Sequence, residues 1–315
     1  MDTGPVVAHF VWFGRDFPWV HWLALCSAAR RGGFDRVLLH HADPIDGPHW
    51  EAALAIPGVE ARRLDAEGLL AAAGPAGPTL VDLFRRLSAP AARANVVRAA
   101  LLLREGGVYL DLDTVTMRPV APLLADAGVF CGLERLAFPD DPRRRVHPGR
   151  LAAAWARTAV RDLLRRVPDG WRAFRRIEGR YPTAPNNAVL GARAGHPFVA
   201  ELLERMVRLP PRRSLARFAL GTHLLEHAVE DYRGDDLRLL PPEVFYPLGP
   251  EISEHWFRRS SARLDELTTE ATRVVHWYAS VRTRRIVPRL SPEWVAEHTG
   301  REPFSTLAAS VLAHP

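Results

Sequence analysis

The spacing of apolar positions changes period several times along the first third of the chain. Residues 6–13, VVAHFVWF, form an unbroken apolar and aromatic run, as a buried strand requires, and RVLLHHAD at 36–43 repeats the pattern. Between them PWVHWLALCSAARRG has helical spacing and closes on a glycine. Strand, helix, strand predicts a parallel βαβ unit, and VEARRL at 59–64 is expected to add a third strand. The run PAARANVVRAALLLRE, residues 90–105, opens with proline, continues with strong helix formers and stops at Gly106 and Gly107. GVYLDLD then reads as a strand that carries its two carboxylates at its C-terminal end.

Further along, residues of about 138–182 change character: FPDDPRRRVHPGR and RRVPDGWRAFRRIEGRYPT are rich in arginine and proline and flank the helical run LAAAWARTAVRDLLRRV. The stretch reads either as a solvated loop with surface helices or as an insertion over the strand ends on the acceptor side of a site. NNAVLGARAGHPFVAELLERM then predicts strand, turn and helix, and LARFALGTHLLEHAVED another helix. With no repeat and no linker, residues 1–315 are expected to form one α/β domain, a mainly parallel sheet flanked by helices with an α-helical insertion at about 138–182.

Composition narrows the functional classes. A 47% hydrophobic content in 315 residues supports a sizeable core. The longest apolar runs fall well short of the ~20 residues that span a bilayer, so no membrane span is expected. The chain enters strand-like sequence at once, leaving no room for a secretory leader, and a cytoplasmic location is expected. Cys26 and Cys131 sit in apolar surroundings without metal-ligand spacing and read as buried thiols. The net charge of +6 would suit nucleic acid, but every basic residue other than histidine is arginine, in a chain rich in alanine, leucine and proline. That is a pattern of nucleotide bias. No nucleic-acid partner is expected on this ground, although anionic sugar nucleotides would still be attracted.

Chemistry concentrates around residues 95–113. Asp111 and Asp113 flank Leu112, so on a strand both carboxylates share one face, and hard oxygen ligands of this kind suit Mn²⁺ or Mg²⁺. Asp113 reads as an exposed strand-end carboxylate with no packing role. A D-x-D triplet alone is weak, but here it follows a helix carrying a lone arginine on its apolar face. Arg98, among Val96, Val97, Ala99 and Leu101, either snorkels to the surface or is fixed by a buried anion. Asn95, three residues earlier, shares its helical face. The pair His223 and His227 has i, i+4 spacing but, like His40 and His41, reads as structural.

RANVVRAALLLREGGVYLDLDT resembles the core signature of the DXD-containing sugar-binding family of glycosyltransferases. AHFVWFG, NNAVLGARAGHPF, LLPPEVFYPLGP and VVHWYAS are similar to further segments of that family, in the same order, from about residue 6 to about 281. The resemblance implies a GT-A-like, Rossmann-type fold and metal-dependent transfer of a hexosyl group from a UDP- or GDP-sugar, with retention, to an acceptor it leaves unnamed. It implies a base-stacking role for Trp12, and metal ligation by Asp113 and His276 with Asp111 on the metal or the ribose. Arg98 and Tyr109 would face the donor, Asn95, Asn186 and Asn187 the sugar or acceptor, and Ser280 the leaving phosphate, with Arg282 or Arg284 sharing its charge. Asp111, Asp113, Arg98 and Asn187 are the residues expected to carry catalysis. Two positions depart from the family pattern. Asn95 stands where aspartate is usual, and Val281 follows Ser280 where tryptophan is usual. A non-catalytic binder of nucleotide sugar or nucleic acid and a metal-dependent phosphohydrolase remain the alternatives, the latter disfavoured by the scarcity of clustered carboxylates nearby.

Overall fold

The computed structural model describes residues 4–137, 148–216, 218–281 and 283–313. Nine strands are named in chain order: β1 (Val7–Trp12), β2 (Arg36–His41), β3 (Val59–Arg63), β4 (Gly107–Leu110), β5 (Thr114–Thr116), β6 (Val129–Arg135), β7 (Thr183–Ala192), β8 (Leu237–Leu240) and β9 (Val274–His276). Seven form one sheet in the order β3-β2-β1-β4-β7-β6-β8, and β5 pairs with β9 in a second, two-stranded sheet. β7 alone runs against its neighbours in the large sheet, where the pairs β3-β2, β2-β1, β1-β4 and β6-β8 are parallel. The expected α/β arrangement, a mainly parallel sheet with flanking helices, is therefore the one observed.

Alternation along the strands puts a separate apolar layer on each face of the large sheet. Phe10 and Leu39 join the Trp19–Arg31 helix in one layer, while Val11 and Tyr109 join the Pro90–Glu105 and Pro197–Arg208 helices in the other. The helix Pro90–Glu105 buries Val96 through Leu102 without interruption, so it lies deep against the sheet. Its last turn closes when the Gly106 amide donates to the Leu102 carbonyl at 3.0 Å. Glycine is required at both of the next positions, with φ of 67° at Gly106 and 94° at Gly107. A Cβ there would come within 2.6 Å of the Ala194 nitrogen and 2.4 Å of the Val7 carbonyl oxygen, respectively. The helix and the strand after it are thus held at a fixed angle.

Two sequence expectations change. β4 ends at Leu110, so Asp111 and Asp113 lie in the turn between β4 and β5 and not on a strand. The Asp111 amide still donates to the Ala188 carbonyl at 2.8 Å, after which the chain leaves the large sheet to pair with β9. The helix expected through LARFALGTHLLEHAVED covers only Thr222–Asp231, because Phe218 takes a left-handed φ of 66° and its carbonyl accepts from the Gly221 amide in a turn. Cys26 and Cys131 are free, buried thiols. Residues 138–147 of the arginine-rich stretch lie outside the described residues.

His9 and His40 form a buried polar pair between β1 and β2. Nδ1 of His9 lies 3.0 Å from Nε2 of His40, and Nε2 of His9 lies 2.9 Å from the Gly106 carbonyl oxygen. Burial pushes His9 down to about 4 and His40 down to about 3. Their neutral forms therefore belong to the folded state. Below about pH 6.5 the unfolded chain takes up protons that the folded chain refuses, so stability falls as pH drops from there toward about 4. Urea unfolding between about pH 7 and about pH 5 should show this loss, and a His40→Gln variant should show a shallower one. Identical slopes for the two proteins would contradict the assignment.

Candidate metal and donor site

Three elements, one of them distant in sequence, meet at the β4–β5 turn. The Pro90–Glu105 helix supplies Arg98, the turn supplies Asp111 and Asp113, and β9 supplies His276. One ligand atom from each of Asp111, Asp113 and His276 lies within 4.8 Å of the other two. Among the described residues this is the one cluster of three or more such groups. His223 and His227 do not belong to it.

The cluster is organised by ion pairs with buried partners. Arg98, whose side chain is 5% exposed, donates through Nη2 to Asp111 Oδ1 at 2.9 Å, and its Nη1 donates to the Asn187 carbonyl. Its guanidinium stacks over the Tyr109 ring at 4.2 Å, and the Tyr109 hydroxyl donates to the same Asp111 oxygen at 3.0 Å. The anion expected beside Arg98 is therefore Asp111. Burial raises the Asp111 carboxyl above its ordinary value, with Arg98 opposing the rise.

Asp113 is more enclosed than the sequence suggests, with only 17% of its side chain exposed. It accepts from the Ala279 amide at 2.8 Å through Oδ2, while Oδ1 lies 2.9 Å from His276 Nε2. Its own carbonyl accepts from the Trp277 amide at 3.1 Å. The carboxylate thus also braces the chain that follows β9, which corrects its reading as an exposed group without a packing role. Burial raises the Asp113 carboxyl, yet the His276 charge and hydrogen bond and the Ala279 amide outweigh it, and the net shift is downward. For His276 burial works against the proton, but Asp113, Asp111 and Glu134 prevail and raise it.

The donor set fits a divalent cation. Two carboxylates and an imidazole are ligands for Mn²⁺ or Mg²⁺. His276 Nδ1 is buried with no hydrogen-bond partner, a cost that ordinarily marks a position awaiting one.

The remaining expected site residues divide. The Asn187 carbonyl accepts from Arg98, and its side-chain amide donates to Asn95 Oδ1 at 2.9 Å, so the acceptor of the unusual Asn95 is already engaged. Gly221 closes against this pair: a Cβ there would lie 3.0 Å from Asn95 Nδ2 and 3.4 Å from Asn187 Nδ2. Asn186 instead turns into the protein, where its Oδ1 accepts from the Ala188 amide at 2.7 Å and lies 3.3 Å from the Tyr246 hydroxyl. Neighbouring strand residues face opposite sides, and Asn186, opposite Gly132, also lies beside an irregularity in the β6–β7 ladder between Cys131 and Gly132. Trp12, at the end of β1, is half-buried against His21 and Phe17 in edge contacts at 4.4 and 6.4 Å. Ser280 is exposed, one residue beyond the amide that binds Asp113. Arg282 lies outside the described residues.

Two residues of this region escaped the sequence reading. His21, which burial pushes down to about 4 against the pull of Asp113, packs on Trp12. Its signal was a histidine in the first turn of a helix, within the otherwise apolar run Trp19–Cys26. Glu134 is 5% exposed at the end of β6 and accepts from the Tyr278 hydroxyl at 2.9 Å; the Tyr278 ring in turn lies 4.1 Å from His276. A lone carboxylate closing the apolar run VFCGLE was the available sign.

Residues 48–130 match the family model described as "Glycosyltransferase sugar-binding region containing DXD motif". The match spans Asn95, Arg98, Tyr109, Asp111 and Asp113, and it bears out the resemblance over that segment. No curated protein matches the chain. Among solved structures, the chain is similar to PaToxG glycosyltransferase at 14% identity, over 72% of this chain and 70% of that one, with a TM-score of 0.42. It is similar to the UDP-bound glycosyltransferase domain from the YGT toxin at 9% identity, over 75% and 79%, with a TM-score of 0.42. WbbM, a bifunctional enzyme, aligns at 10% identity over all of this chain and 50% of its own length, with a TM-score of 0.49. Likenesses this remote bear on neither donor nor acceptor.

Two outcomes follow from the geometry. Arg98→Met leaves Asp111 without its buried counter-charge and should cost about 3 kcal/mol of stability by urea unfolding; a loss below about 1 kcal/mol would show that the pair does not hold the turn. Because His276 must lose its raised proton to ligate, Mn²⁺ affinity measured by electron paramagnetic resonance should tighten from about pH 6 to about pH 8, and His276→Gln should flatten that trend. An affinity independent of pH in the unaltered protein would remove His276 from the ligand set.

Proposed function

We propose that this chain, a glycosyltransferase by the DXD region it carries at residues 48–130, moves a hexosyl group from a UDP- or GDP-sugar to an acceptor hydroxyl in a reaction that depends on Mn²⁺ or Mg²⁺. The observation that carries the reading is the convergence of Asp111, Asp113 and His276 beside a buried arginine, within and next to that region. On this reading residues 1–315 act as one unit, with about 138–182 on the acceptor side.

Asp111, Asp113 and His276 would hold the ion. When bound, a divalent cation neutralises charge on the departing nucleoside diphosphate. Arg98 fixes the orientation of Asp111 and sets a positive charge behind it, while Tyr109 packs on the guanidinium and donates to the same carboxylate. Trp12 offers an aromatic face to the nucleobase. Asn187, and Asn95 through its own amide group, address sugar hydroxyls, and Ser280 donates to the leaving phosphate. The neutral Asn95 keeps an acceptor but presents no charge, which suits a sugar other than those preferred where aspartate stands. The inward-turned Asn186 acts by supporting the Ala188 amide and so the β7 segment beside the site.

In the transfer, the bond between the anomeric carbon and the diphosphate oxygen breaks and its electron pair leaves with the nucleotide. The acceptor oxygen bonds to the same carbon from the same face, and its proton passes to the departing phosphate oxygen. Retention follows from that front-face path. Glu134 is buried and accepts from the Tyr278 hydroxyl at 2.9 Å, which suits a brace for the Tyr278 ring beside His276.

A panel of UDP- and GDP-sugars incubated with Mn²⁺, scored for release of the nucleoside diphosphate, tests the class. One donor should be hydrolysed slowly, and Asp113→Ala should abolish its turnover. Normal Mn²⁺-dependent turnover by that variant would overturn the metal assignment. Trp12→Ala should weaken nucleotide binding by about 1–3 kcal/mol; unchanged affinity would return Trp12 to the core.

A further inference from the structure

Strand order marks where a ligand enters a sheet of this kind. In the run β3-β2-β1-β4 the chain passes outward from β1 to β2 and β3, then returns to the other side of β1 with β4. β1 and β4 are parallel and pair at Ala8 with Val108 and at His9 with Tyr109. The crevice outside the C-terminal ends of two strands at such a reversal is the usual ligand seat of an open α/β sheet. Trp12 ends β1 on one side of it, and the turn carrying Asp111 and Asp113 follows β4 on the other.

His21 stands in the first turn of the Trp19–Arg31 helix, the first element after β1. It is 9% exposed. Nδ1 is buried with no hydrogen-bond partner, and among the described residues Nε2 has none either. The ring instead meets Trp12 and Phe17, edge-on, at 4.4 and 5.5 Å. An apolar side chain would make those contacts freely, whereas an imidazole held in the interior with both nitrogens unpaired is costly. Nε2 is not sealed off as Nδ1 is, so it is the atom through which the ring can meet a ligand. The charge of Asp113 also reaches this ring.

Given Trp12 as the nucleobase seat and Asp113 as a cation ligand, on which the argument rests, we infer that His21 Nε2 hydrogen-bonds a ribose hydroxyl of the nucleoside diphosphate. His21 thereby selects ribonucleotides over deoxyribonucleotides. The order of groups carries this assignment. A nucleoside diphosphate presents base, ribose and diphosphate in turn, and the protein presents Trp12, His21 touching it, and Asp113 within reach of His21's ring. A ribose hydroxyl both donates and accepts, so it pairs with either neutral tautomer of the imidazole. A site with a polar group placed for a hydroxyl rejects the analogue that lacks it, because the group is then left unpaired.

Isothermal titration with saturating Mn²⁺ tests this by comparing UDP and GDP with their 2′-deoxy and 3′-deoxy forms. The ribonucleotide that binds should do so roughly tenfold more tightly than one of its deoxy forms. His21→Phe, which keeps ring contacts to Trp12 and Phe17, should bind ribo and deoxy forms alike. His21→Gln, whose amide reaches close to the position of Nε2, should restore part of the preference. A merely structural His21 would lower the affinity of every form by the same factor on substitution, and that result would overturn the inference. So would equal binding of the ribo and both deoxy forms by the unaltered protein, a comparison that needs no variant to fold. Failure of both UDP and GDP to bind would instead overturn the nucleotide seat itself, and the role of His21 with it.

Discussion

A guanidinium buried in an apolar helix face must meet a carboxylate or leave the core, and the site follows from how Arg98 meets that demand. Expelling it is opposed by the burial of Val96 through Leu102 on both sides of it in sequence. Asp111 must therefore come to the arginine. It does so from the first residue after β4, with the Tyr109 ring and hydroxyl completing the enclosure. A buried pair of this kind adds little net stability over an apolar substitute, but it specifies position strongly, since either partner alone is costly. Here the position specified is that of the carboxylate beside the candidate cation.

A second consequence concerns the route of the chain. With Asp111 anchored, residues 111–113 turn out of the seven-stranded sheet and Thr114–Thr116 pairs with Val274–His276. That pairing sets Thr114 opposite His276, which brings a histidine more than 160 residues away to Asp113. The small sheet thus performs the long-range assembly, and Asp113 in return receives the Ala279 amide. The candidate cation seat and the path of the C-terminal segment are thus linked through one carboxylate.

Much of this was legible along the chain. The apolar runs marked β1 and β2 nearly to their ends, and proline and the glycine pair bracketed the Arg98 helix because their backbone constraints are local. The D-x-D triplet and the lone arginine were visible as residue types out of keeping with their surroundings. What could not be read was set by contacts distant in sequence. Asp111 and Asp113 seemed to share a strand face, yet a turn brings them together. Asn186 and Asn187 were both expected towards the sugar or acceptor, yet Asn186 turns into the protein while Asn187 meets Asn95. Glu134 and His21 are recognisable only once β6, β9 and the first helix are packed around the turn.

The central claim is that the turn at Asp111–Asp113, completed by His276, is a cation-dependent seat for a nucleoside diphosphate. Isothermal titration of UDP and GDP into the metal-free protein, repeated with saturating Mn²⁺, addresses it directly. One of the two nucleotides should bind with Mn²⁺ and lose most of its affinity without it, and Asp113→Ala should abolish the difference. Nucleotide affinity that is the same with and without the metal would contradict the account.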